Sequence, residues 1–141
     1  MTSTSVEQLL ADARRLIDRV GPEDLGPWRV CGALLVDIRP EGQRAEEGEF
    51  DHAIVIERNV LEWRFDLGGE HALTDIDGYG QPIVVACSEG YASSFAAASL
   101  RALGFTRVAD LAGGYWAWRA WREQTGARTE QPRSASPFNA A

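Results

Sequence analysis

Short apolar runs alternate with helical periodicities along this chain, and the alternation predicts an α/β domain. Four runs have the length of buried β-strands and consist mainly of small or branched apolar residues, at 33–38, 53–56, 83–86 and 107–111. Helical patterns precede, separate and follow them. Because strands that alternate with helices form parallel sheets, the pattern predicts a mostly parallel sheet.

The first helix is predicted over residues 6–20, where apolar residues recur at steps of three and four. Thr4 with Glu7 has the spacing of a capping box, and Gly21-Pro22 is a stop signal. We expect this helix to serve packing, not chemistry.

Three later helices are predicted from their boundary residues. These are a helix that starts at Asn59 with Glu62, one that runs from Ser93 to Gly104, and one between Gly113-Gly114 and Gly126. Several of their aromatic side chains are expected in the core or at its rim, namely Trp63, Tyr115, Trp118 and Trp121.

The remaining segments lack a regular period. Residues 22–32 and 68–81 are rich in glycine and are predicted to be loops, whereas the acidic residues 41–51 indicate a solvated surface segment with at most one helical turn. Residues 127–141 are polar and carry two prolines, which predicts a disordered tail. The domain is therefore expected to span 1–126.

The charge of the chain limits its partners. A formal net charge of −7 argues against nucleic acid and against anionic membrane surfaces, both of which bind basic patches. No apolar run approaches the roughly 18 residues of a membrane helix, and residues 1–10 lack the basic and apolar regions of a signal peptide. We therefore expect a cytoplasmic location.

Metal and disulfide chemistry are not indicated. The chain has two cysteines, Cys31 and Cys87, in no CxxC arrangement, and its histidines, His52 and His71, belong to no ligand pattern. A domain of this size does not need a disulfide, and no cofactor is predicted.

Cys87 has the most informative position of any residue in the chain. It follows the predicted strand 83–86, precedes a loop with one glycine, Gly90, and stands before the helix predicted from Ser93. Backbone N–H groups converge at such a helix start, and they activate a thiol as a nucleophile. A buried structural cysteine at a strand end fits the local pattern equally well.

Two arginines are expected near this cysteine. Arg39 and Arg58 follow the strands predicted at 33–38 and 53–56. Ligands of open parallel sheets gather outside the carboxyl ends of the strands, so Arg39, Arg58 and Cys87 should converge.

Three segments of the sequence resemble the single-domain rhodanese-like (thiosulfate sulfurtransferase) family. They are LLVDIRPEGQRAEEGEFDHAIVI at 34–56 with an Asp-x-Arg strand end, VVACSEGYASS at 84–94, and LGFTRVADLAGGYWAW at 103–118. Their order and spacing follow those of the family over about three quarters of the chain.

The resemblance implies a five-stranded, mostly parallel sheet with helices on both faces. It also implies that Cys87 is the catalytic residue and carries sulfane sulfur as a persulfide from a small sulfur-containing anion or persulfide donor to a thiol or other nucleophilic acceptor. Asp37 would be structural, and the substrate-binding residues would be Ser88, Glu89, Gly90, Tyr91, Ala92, Ser93, Arg39 and Arg58.

The loop departs from the family in its charge. Members that use thiosulfate usually carry Arg directly after the cysteine or at the sixth position of the loop, where this chain has Ser88 and Ala92. The one charged residue of the loop is Glu89, which opposes a thiolate. We therefore expect a donor other than thiosulfate, with Arg39 and Arg58 supplying part of the missing charge.

Two alternatives remain open at this stage. A non-catalytic rhodanese-like module for protein binding or redox sensing is compatible with the weakly charged loop. A Cys-x5-Arg phosphatase or arsenate reductase needs a guanidinium six residues after the cysteine, and that position is Ser93. The oligomeric state cannot be predicted from these patterns.

Overall fold

The computed structural model describes residues 2–126 and contains one five-stranded parallel sheet with the strand order β1-β5-β4-β2-β3. The strands are β1 (Asp18–Val20), β2 (Leu34–Asp37), β3 (Ile54–Val55), β4 (Ile83–Ala86) and β5 (Val108–Leu111). The helices are α1 (Val6–Arg14), α2 (Leu25–Val30), α3 (Glu41–Glu47), α4 (Leu61–Phe65), α5 (Ala92–Leu103) and α6 (Gly114–Thr125), with 3-10 turns at Pro22–Asp24 and Arg58–Val60. The predicted fold class is confirmed.

Strand β4 lies at the centre of the sheet and is buried on both faces. Ile83 and Val85 belong to a core cluster with Leu100 and Phe105, whereas Val84 and Ala86 belong to a second cluster on the other face with Trp118 and Leu111. A strand with helices on both sides needs apolar residues at every position, which explains the unbroken run Ile83–Ala86.

The sheet register brings the carboxyl ends of β2 and β4 together. Asp37 is paired with Ala86, and the Ile38 N–H donates to the Ala86 carbonyl at 3.0 Å. Arg39 and Cys87 therefore both leave the sheet at the same edge, one residue beyond this contact.

The amino-terminal region differs from its prediction. The helix predicted over 6–20 ends at Arg14, and Asp18–Val20 forms β1, which pairs with β5. The apolar residues of 16–20 match a helical period, but pairing of β1 with β5 and burial of Val20 in the core determine the strand conformation. The helix is capped by Ser5, whose side chain accepts from the Gln8 N–H, rather than by Thr4.

Five other expectations are corrected. Residues 22–32 contain the 3-10 turn Pro22–Asp24 and α2, since Pro fits the first position of a helical turn. The surface segment 41–51 contains the seven-residue helix α3. The strand predicted at 53–56 is a two-residue edge strand with Val55 42% exposed, not a buried one. Trp63 is 59% exposed, and a 3-10 turn from Arg58 replaces the predicted start at Asn59.

The second half of the chain agrees closely with its prediction. Helix α5 begins at Ala92, one residue before Ser93, and ends before Gly104, whose φ of 123° excludes most other residues. Helix α6 ends before Gly126, and Tyr115 and Trp118 are buried. Residues 68–81 form neither helix nor strand. The tail predicted at 127–141 lies outside the described residues.

Candidate active site

The Cys87 thiol lies inside a loop of backbone N–H groups between β4 and α5. The Gly90 N–H donates to Cys87 Sγ at 3.2 Å, and the Ser93 N–H donates to the same atom at 3.4 Å. The residue is 8% exposed. Amide dipoles aimed at a sulfur atom stabilise negative charge on it, so the loop is suited to hold a thiolate or a persulfide anion.

Gly90 is required by both the backbone and the space around it. Its φ is 89°, which residues with a side chain rarely adopt, and a Cβ atom there would lie 2.7 Å from Gly113 N and 3.1 Å from the Leu111 carbonyl oxygen. The loop is therefore in direct contact with the end of β5 and the start of α6.

Helix α6 fixes the first half of the loop from outside. The Tyr115 N–H donates to the Cys87 carbonyl at 2.8 Å, and the Trp116 N–H donates to the Ser88 carbonyl at 3.3 Å. Gly114 has a φ of 62°, and a Cβ atom at this position would collide with both carbonyl groups. The Gly113-Gly114 pair thus allows the two backbones to approach each other.

The side chains of the predicted loop residues have different surroundings. Ser88 Oγ lies 2.8 Å from Glu47 Oε1 and 3.0 Å from Gln43 Oε1, both on α3. Glu89, Tyr91 and Ala92 are exposed. Ser93 contributes its N–H group to the sulfur, while its buried hydroxyl donates to Asp110 instead.

A cavity of about 440 Å³ opens beside Cys87, and it contains both predicted arginines. It is lined by Ile38, Arg39, Pro40, Gln43, Glu57, Arg58, Asn59, Cys87 and Ala92. The three residues expected to converge from separate strand ends thus border one space.

Arg39 is buried and fully engaged by protein groups. Its guanidinium donates to Asp37 at 2.7 Å, to Glu47 at 3.0 Å and to the Gly48 carbonyl at 2.9 Å, and it lies over the Tyr115 ring. Burial opposes its charge, but the hydrogen bonds and charges of Asp37 and Glu47 outweigh burial and raise the pKa of Arg39. Asp37 therefore orients and neutralises Arg39.

Arg58 is also neutralised, at the rim of the cavity. Its guanidinium donates to both carboxylate oxygens of Glu62 at 2.9 Å and to Ser99 Oγ at 3.3 Å. Burial acts to raise the pKa of Glu62, but hydrogen bonds and the Arg58 charge outweigh it and lower that pKa. Both arginines of the cavity are therefore paired with carboxylates, and Glu57 adds a further acidic residue to its lining.

Three residues behind the loop had no place in the sequence prediction. Asp110 is completely buried in β5 and accepts from Ser93 Oγ at 2.8 Å, Ser94 Oγ at 2.7 Å and Arg19 Nε at 2.9 Å. Arg14 and Arg19 both donate to the Gly90 carbonyl. A carboxylate inside an apolar strand must have buried partners, so the position of Asp110 in the sequence indicates a buried polar contact. The sequence does not indicate which residues form that contact.

The other cysteine has none of these surroundings. Cys31 is exposed at the end of α2, and neither cysteine forms a disulfide. Within residues 2–126, no group of three or more metal-ligating side chains occurs, and no helix is long and apolar enough to cross a membrane.

Comparisons with known proteins show the family of the chain. The sequence profile of the rhodanese-like domain matches residues 22–120. The thiosulfate sulfurtransferase GlpE of Pseudomonas savastanoi is 31% identical over 102 residues, which cover 72% of this chain and 87% of the relative.

Two solved structures share the fold. A rhodanese homologue from Thermus thermophilus has a TM-score of 0.52 at 29% identity, covering 70% of this chain and 98% of the other. A protein of unknown function from Rhodopseudomonas palustris, described as a possible tyrosine phosphatase, has a TM-score of 0.76 at 23% identity, covering 92% and 97%. The chain belongs to the rhodanese-like domain family.

Proposed function

We propose that this protein is a sulfurtransferase or sulfur carrier that moves sulfane sulfur through a persulfide on Cys87. The observation that supports the proposal is the pair of N–H groups, from Gly90 and Ser93, that donate to Cys87 Sγ beside an open cavity. The family of the chain and its similarity to proteins named thiosulfate sulfurtransferase agree with this chemistry.

The reaction has two displacement steps. In the first, the Cys87 thiolate attacks the outer sulfur of a persulfide donor R–S–SH, a new S–S bond forms, and R–S⁻ leaves. In the second, an acceptor thiolate attacks the outer sulfur of Cys87–S–SH, and the Cys87 thiolate leaves and is regenerated. The two N–H groups stabilise the anionic sulfur in the resting enzyme and after transfer.

The charge of the cavity favours a donor other than thiosulfate. Thiosulfate is a dianion and needs unpaired cations, but Arg39 is bound by Asp37 and Glu47, and Arg58 is bound by Glu62. The persulfide group itself carries at most one negative charge. We therefore propose a persulfide donor and a thiol acceptor, and we retain the cytoplasmic location expected from the sequence.

The loop residues have separate roles in this proposal. Gly90 and Ser93 contribute backbone N–H groups, Ser88 links the loop to α3, and Ala92 leaves the entrance open beside Arg58. Glu89 and Tyr91 are exposed and would contact the donor or acceptor as it approaches.

A phosphatase of the Cys-x5-Arg kind has no support at this site. The sixth position after Cys87 is Ser93, whose hydroxyl donates to buried Asp110 at 2.8 Å. The likeness to the possible tyrosine phosphatase, at 23% identity, concerns the fold alone.

The proposal is tested by turnover with a panel of sulfur donors. Transfer to a thiol acceptor is measured with a persulfide, a polysulfide and thiosulfate, using the wild type, C87S and C31S. We expect transfer from the persulfide, weak use of thiosulfate, loss of activity in C87S and full activity in C31S. Absence of transfer from every donor would support the non-catalytic module instead.

A further inference from the structure

Two guanidinium groups that do not line the cavity contact the Cys87 loop. Arg14 Nη2 donates to the Gly90 carbonyl at 2.8 Å, and Arg19 Nη2 donates to the same oxygen at 2.9 Å. Arg14 Nε also donates to Ser94 Oγ at 2.9 Å, and its guanidinium lies over the Tyr91 ring. One carbonyl of the loop is thus held by two cations.

This contact acts on the residue that donates to the sulfur. The Gly90 N–H points into the loop toward Cys87 Sγ, while its carbonyl points outward to Arg14 and Arg19. The two groups belong to neighbouring peptide units joined at the Gly90 Cα, so holding the carbonyl limits the backbone rotations that would turn the N–H away from the sulfur. Charge-assisted hydrogen bonds are stronger than neutral ones, which makes this an effective restraint.

The two arginines differ in their charge balance. Arg19 forms an ion pair with Asp110 at 2.9 Å, whereas Arg14 forms none with any carboxylate of residues 2–126. The positive charge of Arg14 is therefore not cancelled locally.

The other arginines around the sulfur are already paired with carboxylates. On the cavity side, Arg39 is paired with Asp37 and Glu47, and Arg58 is paired with Glu62. Two acidic residues form no ion pair within residues 2–126, namely Glu57 at the cavity wall and Glu89 on the loop. Arg14 contacts the same loop through the Gly90 carbonyl and adds a positive charge that no carboxylate of residues 2–126 pairs with.

Arg14 and Arg19 also lie outside the part of the chain that the family profile covers, which is 22–120. They reach the loop because α1 packs against α5 and β1 pairs with β5. The amino-terminal segment thus brings to the loop a charge that the loop sequence lacks.

We propose that Arg14 is a positioning residue for Cys87: with Arg19 it holds the Gly90 carbonyl and so restrains the backbone of the loop, and it supplies positive charge at a loop whose own sequence has none. The inference rests on the proposed function, since it concerns the same sulfur, but it is testable without any sulfur donor.

The experiment compares two alkylating probes on Cys87 in a C31S background. Iodoacetate is anionic and iodoacetamide is neutral, and both react with the thiolate, so the ratio of their rates reports local charge independently of the thiolate fraction. We expect R14Q to lower the iodoacetate-to-iodoacetamide ratio by about two- to fivefold, because it removes one positive charge close to the sulfur in a largely aqueous medium. R14K should stay near the wild-type ratio.

R15Q is the matched control, because Arg15 neighbours Arg14, is exposed and pairs with Asp12 rather than with the loop. Its ratio should equal that of the wild type. An unchanged ratio in R14Q, an equal fall in R15Q or an equal fall in R14K would each overturn the charge assignment. If R14Q does not fold, R14M keeps an unbranched side chain without the charge and is judged by the same ratio. Persulfide formation by the wild type is scored separately, so either idea can fail alone.

Discussion

Cys31 and Cys87 both lie at a junction between a helix and a strand. Cys31 follows the end of α2, whereas Cys87 precedes the start of α5. Cys31 is the residue that ends α2, and its own N–H donates back to the Pro27 carbonyl. Cys87 precedes α5 and accepts from two N–H groups. A helix carries partial positive charge at its start and partial negative charge at its end, so only the Cys87 junction favours a sulfur anion. The two cysteines therefore differ in the helix end that they adjoin, and this difference sets the electrostatic surroundings of each thiol.

The two regions also differ in how they treat a buried charge. Near Cys87, Asp110 is bound by Arg19, Ser93 and Ser94. Near Cys31, Arg29 is buried with its Nη2 bound to the Asp51 carbonyl, while Nε and Nη1 have no hydrogen-bond partner within residues 2–126. Burial, opposed in part by Asp51, lowers the pKa of Arg29 to about 10. Both carboxylate oxygens of Asp110 thus accept hydrogen bonds, whereas two of the three guanidinium nitrogens of Arg29 have no partner within residues 2–126.

The largest expected effect follows from this contrast in buried charge. D110N removes the anion from Arg19 and two hydroxyls, so it should lower the free energy of unfolding by about 3–5 kcal/mol. R29M keeps the volume and removes an incompletely bonded charge, so it should be neutral or stabilising. Denaturant unfolding of both variants measures the difference. Equal destabilisation by the two substitutions would contradict the contrast.

The next effect concerns two glycines of similar backbone angle, one beside each cysteine. Gly90 has a φ of 89° and is surrounded by backbone atoms, whereas Gly32 has a φ of 93° and a Cβ atom there would have no neighbour within 4 Å. G32A should cost about 1–2 kcal/mol of stability from the backbone alone. G90A should cost more and should also reduce sulfur transfer on the order of 100-fold, because the loop must move.

Transfer assays and unfolding curves for both glycine variants separate these outcomes. We expect the activity loss in G90A alone. Full transfer activity in a folded G90A protein would mean that the loop does not depend on this close contact.

The sequence predicted most of the second half of the chain, and the reason is physical. Strand β4 and helix α5 are specified by local signals, an unbroken apolar run and a glycine stop, and Cys87 lies between them. The prediction for the amino-terminal region was wrong because β1 is three residues long and is formed by pairing with β5. The contact of Arg14 with the loop depends on that same pairing and on helix packing, for which one sequence holds no local signal.

A smaller effect separates the two thiols by reactivity. Cys31 is exposed and Cys87 is 8% exposed, so access alone predicts faster alkylation of Cys31. Activation by the loop predicts the reverse, with Cys87 reacting several-fold faster than Cys31 at neutral pH. Iodoacetamide labelling of C31S and C87S, followed by intact-mass spectrometry, measures each rate. Equal rates would count against an activated thiolate.

The smallest effect concerns Arg58 and Glu62 at the cavity rim. E62Q releases Arg58 from its carboxylate, so it should raise the rate with thiosulfate by about twofold without changing the rate with a persulfide. Because folding lowers the pKa of Glu62, its stabilising contribution is present above pH 4.5 and is lost as pH falls through the lowered value.

E62Q should therefore unfold with a slightly weaker acid dependence than the wild type in that range. The pair is partly exposed, which keeps this difference small. An unchanged rate with thiosulfate in E62Q would indicate that Arg58 does not contact thiosulfate.

Whether Cys87 carries a persulfide is tested most simply by the mass of the intact protein after incubation with a persulfide donor. We predict that wild type and C31S gain one sulfur atom, that C87S gains none, and that a thiol acceptor removes the added sulfur. An adduct of equal yield on C87S, or no adduct on the wild type with any sulfur donor, would contradict a persulfide carried by Cys87.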